Sequence, residues 1–101
     1  MNSSVFFNGK IMNEMDILKL FYDEMTVKSM TRDMVFLSIE EEAAAEISQN
    51  LGTNIPTEVV QKMTDLCIAN EWLERTTADP NYKYLSLTEN GLQVLLNYLY
   101  R

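Results

Sequence analysis

One cysteine, no histidine, a run of three glutamates and a Gln-Lys pair are the residues through which this chain of 101 residues could do chemistry. A nucleophilic cysteine needs a neighbouring base, most often histidine, to make its thiolate. Cys67 has no histidine to serve it, and its spacing from Val59, Met63 and Leu66 puts it on an apolar helix stripe, where a free cysteine behaves as a small hydrophobe. One cysteine also excludes an intrachain disulfide and any paired-cysteine metal knuckle. Glu40-Glu41-Glu42 has two readings, a metal-binding acidic cluster or a solvated helix start. The second follows from Ser38 and Glu41, spaced as a capping box, with the carboxylates at the positive end of the helix dipole. No glycine-rich phosphate loop is present. These residues predict no enzyme, no catalytic residue, no metal and no cofactor. Gln61 and Lys62 carry a different chemistry, since an amide and an ammonium exposed on a helix can reach base edges and phosphates.

The elements that must position these residues follow from periodicity and caps. Leu18, Phe21, Tyr22 and Met25 recur at helical spacing and predict helix 1 over about 14–27, with Glu14 and Asp16 on its polar side. Met34-Val35-Phe36-Leu37 reads as a short strand. Helix 2 is expected over 39–50, with Ile39, Ala43 and Ile47 inward and Gly52 as its left-handed stop. Helix 3 is expected to start near Pro56, in its first turn, to bury Val59, Met63, Leu66 and Cys67, and to exit through a left-handed Asn70. Residues 73–77 and 82–87 read as strands around the turn formers Asp79, Pro80 and Asn81. Thr88 is placed to cap a last helix over 89–100.

This pattern predicts a mostly α protein with a small β-hairpin, an α+β class, in the order of a winged helix-turn-helix. One domain is expected over 1–101: an N-terminal arm (1–12), the helix-turn-helix and wing (39–87) and a C-terminal helix (88–101). Apolar residues make up 47% and charged residues 23%, which are globular values and argue against disorder. No stretch reads as a signal peptide or a membrane span, so no membrane partner and a cytoplasmic location are expected. The net charge of -7 has the wrong sign for general attraction to nucleic acid, so any such patch must be local. Met12, Met15, Met25, Met30 and Met34 crowd the first third of the chain, either as core filling or as an adaptable binding surface.

The wording of three segments goes beyond periodicity. Ala45-Glu46-Ile47-Ser48-Gln49-Asn50-Leu51-Gly52, then Asn70-Glu71-Trp72-Leu73-Glu74-Arg75, then Tyr84-Leu85-Ser86-Leu87-Thr88-Glu89-Asn90-Gly91 resemble the bacterial MarR and PadR transcriptional regulators over roughly residues 39–95. The resemblance implies a DNA-binding regulator with helix 3 in the major groove and the wing on phosphates or in the minor groove. Position by position it implies Thr57, Glu58, Gln61, Lys62 and Asp65 at the groove, and Arg75, Thr76, Thr77, Asn81, Tyr82 and Lys83 on the wing.

The charge of that face keeps a second function open. From Thr53 to Lys83 three basic residues, Lys62, Arg75 and Lys83, stand against five acidic ones, Glu58, Asp65, Glu71, Glu74 and Asp79. Phosphate neutralisation supplies much of DNA affinity. The alternative is an acidic winged-helix module that binds a protein partner without DNA. A homodimer is also expected. Between Leu92 and Tyr100 only Gln93 and Asn97 are polar. Leu92, Leu95, Leu96 and Leu99 are assigned to the domain core, which leaves Val94, Tyr98 and Tyr100, helped by Phe6 and Phe7 of the arm, for a second surface. The competing expectation is that the arm folds back over this face within one chain.

Overall fold

The computed structural model describes residues 4–7, 10–79 and 81–101, with side chains described from Met12 onward. The expected N-terminal arm is a hairpin. Strand β1 (Ser4–Phe7) pairs antiparallel with β2 (Lys10–Asn13), joining Ser4 to Asn13 and Phe7 to Lys10. The sequence signal for it is the Asn8-Gly9 dipeptide between two β-prone runs. Helix α1 (Glu14–Lys28) starts at once behind β2. Asn13 caps it through a true capping box, its Oδ1 accepting from the Met15 N–H while its own N–H donates to Asp16 Oδ2, each at 2.9 Å. Met15, Ile17, Leu18, Leu20 and Phe21 are all buried, a wider arc than one stripe, because α1 touches the other three helices. Glu14, expected on the polar side, is therefore buried too. Ser29 ends the helix in the left-handed region with φ 53.

The strand expected at 34–37 is largely absent. Residues Arg32–Met34 form a single 3-10 turn, Met34 and Phe36 are 58% and 50% exposed, and Leu37 alone pairs, exchanging hydrogen bonds of 3.0 and 2.8 Å with Leu85. The capping box expected at Ser38 does not form. The Ile39 N–H donates to Tyr82 O at 2.8 Å and the Ser38 hydroxyl accepts from the Tyr84 N–H at 3.2 Å, so the backbone stays extended through 39. Helix α2 accordingly runs Glu41–Leu51 with Glu40 at the cap position, where its side chain makes no capping bond. Ala44 and Ile47 are buried, Ala43 is half-buried, and Gly52 stops the helix at φ 72.

Pro56 caps helix α3 (Thr57–Ala69) from outside its first turn. The buried stripe is Val60, Met63, Thr64 and Cys67, rotated from the expected one: Val59 is half-buried and Leu66 is 38% exposed. The rotation is tolerated because the Thr64 hydroxyl donates to Val60 O at 2.9 Å and so enters the core satisfied. The left-handed exit residue is Glu71 (φ 61), not Asn70 (φ -85), whose amide donates instead to Leu66 O at 2.8 Å. Strand β3 (Leu73–Arg75) pairs antiparallel with β4 (Leu85–Leu87), in register Leu73 with Leu87 and Arg75 with Leu85. Both are shorter than expected. Tyr84 adopts φ 57, its own N–H donates to the Ser38 hydroxyl and the Tyr82 carbonyl accepts from the Ile39 N–H, so these backbone groups are taken by the segment ahead of α2. Pro80, at the expected turn, lies outside the described residues.

Helix α4 (Glu89–Leu99) begins at Thr88, whose hydroxyl accepts from the Gly91 N–H at 2.9 Å and donates to Glu71 O at 2.6 Å. The Thr88 N–H donates to Trp72 O at 3.0 Å. A Cβ on Gly91 would overlap that same Trp72 carbonyl and lie 2.9 Å from Leu87 Cδ1, so this helix turn approaches the start of β3 only with glycine there. Arg32 ties the corner from outside, its Nε 3.1 Å from Glu89 Oε2 and its Nη1 donating to Leu87 O at 3.3 Å. Around α1 the core is completed by Ile39, Ile47, Ile55, Met63, Leu73, Leu85, Leu87 and Leu95. The protein is mostly helical with small antiparallel sheets, an α+β architecture, and no described helix is long and apolar enough to cross a membrane.

Candidate functional site

The exposed side of α3 and the segment 76–84 form one surface. Thr57 is half-buried at the start of α3, Glu58 and Lys62 are exposed, and Lys62 projects from mid-helix. Gln61, next to it, is turned inward to the fold. Its Nε2 donates to Ile39 O at 3.1 Å, fastening α3 to the residues leading into α2. Asp65, one turn on, accepts from the Tyr82 hydroxyl at 3.1 Å, which brings the loop between β3 and β4 onto the helix. The Tyr82 phenol is pushed up from its ordinary pKa by desolvation and by Asp65, against an opposing pull from Arg75, so all three groups share one neighbourhood.

The remaining residues expected on the loop divide between solvent and local bonds. Arg75, Thr76 and Thr77 are exposed. The Thr76 hydroxyl donates to the Tyr84 carbonyl, and that of Thr77 to Asp79 O at 3.4 Å. Asn81 Oδ1 accepts from the Lys83 N–H at 2.8 Å. Lys83 itself lies against α2, with Nζ 3.4 Å from Glu40 Oε2. The stretch from Thr53 to Lys83 together with Glu40 carries six carboxylates, those of Glu40, Glu58, Asp65, Glu71, Glu74 and Asp79, against Lys62, Arg75 and Lys83, a net negative count. The acidic character continues along α2, where an open groove is lined by Glu42, Ala45, Glu46 and Gln49.

Two features escaped sequence reasoning. Tyr84 is 57% exposed in a left-handed conformation fixed on both sides by hydroxyls, that of Ser38 on its N–H and that of Thr76 on its carbonyl. No local sequence pattern announces it, because a non-glycine residue takes this region only where surrounding bonds impose it. Glu40 as the partner of Lys83 was equally hidden, since the two lie far apart in the chain.

The structure places the residues expected to mediate dimerisation in different settings. Val94 is half-buried and packs on the protein's own core. Tyr98 and Tyr100 are 40% and 71% exposed, with the Tyr100 hydroxyl 3.4 Å from that of Tyr22 and the Arg101 guanidinium over the Tyr98 ring. Phe6 and Phe7 belong to β1, and their side chains lie outside the described ones. Of the methionines from Met12 to Met34, Met12 and Met15 are buried, Met25 and Met30 pack against the core and Met34 is exposed.

Cys67 is buried with Sγ 3.8 Å from Glu14 O, and burial together with the nearby Glu14 charge pushes its thiol far above the ordinary range. Such a sulfur stays protonated. Among the described residues no group of three or more potential ligands is placed to hold a metal ion. No protein-family model matches the chain, and comparison with curated proteins and with solved structures gives no match.

Proposed function

We propose that the protein is a winged helix-turn-helix module that binds a protein partner through the face formed by α3 and the loop between β3 and β4. Support for this fold reading comes from the element order and from the Leu37–Leu85 bridge, which sets a third extended segment beside β4 ahead of α2 and α3. The reading of function is carried by the charge of the face: three cations against six carboxylates, with Lys83 already engaged by Glu40. A duplex surface bearing a phosphate charge every ~1.7 Å meets net repulsion there, whereas a partner presenting lysine and arginine meets complementary charge. Gln61, the amide best suited to reading a base, is spent on Ile39 O.

A DNA-binding regulator is the second reading, favoured by Lys62 and Arg75, both exposed and in no ion pair among the described residues. It agrees with the resemblance to MarR and PadR proteins. A photo-crosslinking amino acid placed at Lys62 in cells separates the two. The protein-binding reading expects adducts that resist nuclease and disappear with protease. Adducts lost to nuclease alone would transfer the assignment to nucleic acid.

A further inference from the structure

We propose that a second copy of this chain pairs with the free edge of β1, joining two N-terminal hairpins into one four-stranded antiparallel sheet about a twofold axis. Among the described residues β1 pairs with β2 and with no second strand on its other edge. A two-stranded hairpin is marginal by itself, and an apolar unpaired edge is a template for another strand.

The hydrogen bonding at α1 shows which groups that edge presents. The Asn13 N–H is given to Asp16, away from β1, so Ser4 and Asn13 form a pair that exchanges no backbone bonds. Such pairs alternate with bonded ones along an antiparallel ladder. Phe6 and Ile11 are therefore also a non-bonded pair, and the Phe6 N–H and C=O face outward with those of Ser4. Two antiparallel copies can meet with Phe6 opposite Phe6 or opposite Ser4, and either register uses Phe6.

A second copy is the occupant because the edge is self-complementary and uncharged. Antiparallel pairing of one strand with its twofold mate satisfies both chains equally. Each copy carries a net charge of -7, and Ser4-Val5-Phe6-Phe7 contains no ionisable side chain, so pairing of the two strands brings no like charges of β1 together. Added salt screens what repulsion remains and tightens the pair.

Sedimentation equilibrium at micromolar concentration should give about 23.4 kDa, twice the 11.7 kDa chain mass. A mass fixed at 11.7 kDa overturns the proposal. Phe6→Pro removes an outward N–H without touching the bonds to β2, so the circular dichroism of the helices should persist while self-association weakens about tenfold or more. Should that variant lose its fold, amide exchange in the wild-type protein decides. The Phe6 N–H is expected to be protected in the dimer and exposed on dilution, and unprotected exchange at every concentration overturns the proposal. Tyr98→Glu with Tyr100→Glu should leave the dimer intact. Dissociation by that pair, with Phe6→Pro still dimeric, moves the interface to α4 and also overturns it.

Discussion

Lys83 Nζ lies 3.4 Å from Glu40 Oε2, so a cation from the loop between β3 and β4 is directed back to the start of α2 rather than outward to a ligand. Both side chains are 49% exposed, which limits the strength of the pair. Glu40→Gln should therefore change the unfolding free energy measured in urea little, by less than about 1 kcal/mol. Its larger effect is on charge, and the variant should bind polyanions such as heparin more tightly than the wild type in a low-salt column assay. An unchanged elution position would show that Lys83 is already free to bind.

Gln61 serves the fold. Deleting its amide with Gln61→Ala should cost about 1 kcal/mol through the lost bond to Ile39 O, measured by urea denaturation. A base-reading glutamine, solvated in the free protein, would be removed at almost no cost to stability.

The corner of Trp72, Thr88 and Gly91 leaves no room for a Cβ at Gly91. Thr88→Ala removes the cap of α4 and should cost about 0.5–2 kcal/mol. Gly91→Ala drives a methyl into the Trp72 carbonyl, which is backbone and cannot swing aside, and should cost about 1–3 kcal/mol or more. Chemical denaturation of the two variants checks the order, with the glycine variant the less stable.

Burial raises the Asp16 carboxyl above its ordinary value of 3.8, although the hydrogen bond from Asn13 and the charge of Lys19 oppose the shift. An acid with a raised folded pKa holds its proton more tightly when folded. Its contribution to stability is therefore fully present below the unfolded value and is lost as pH rises through the folded one. Asp16→Asn cannot ionise, so its stability relative to the wild type should rise as the pH is raised from below 3.8 through the folded-state value. A flat or falling difference in paired urea titrations would contradict the burial of this carboxylate.

Local signals were legible in the sequence where chemistry and backbone agree. Gly52 and Thr88 end and start their helices as their residue types require, and the extent of α1 follows from its spacing. Signals failed where a distant partner outbid a local one. Ser38 has the spacing of a cap, but the Tyr84 N–H takes its hydroxyl and Tyr82 O takes the Ile39 N–H, so α2 begins two residues late. Val59 and Leu66 are as apolar as Val60 and Met63, and only the bonded hydroxyl of Thr64 reveals why the buried face of α3 is turned. Of the candidate face, the acidic excess was readable as a count along the sequence. The use of Gln61, Asp65 and Lys83 by the fold itself was not, because each partner comes from another element. Trp72, Thr88 and Gly91, which lie in the segments expected to signal a DNA-binding regulator, meet at the α4 corner, so part of that wording encodes packing.

Fluorescence anisotropy of a labelled mixed-sequence duplex of about 20 base pairs, titrated with the full chain at about 50 mM salt, tests the central claim most directly. An acidic α3 face predicts binding weaker than about 100 µM, with no change when Lys62 and Arg75 are replaced by alanine. Saturable binding at or below about 1 µM, falling steeply with salt and abolished by those two substitutions, would contradict it.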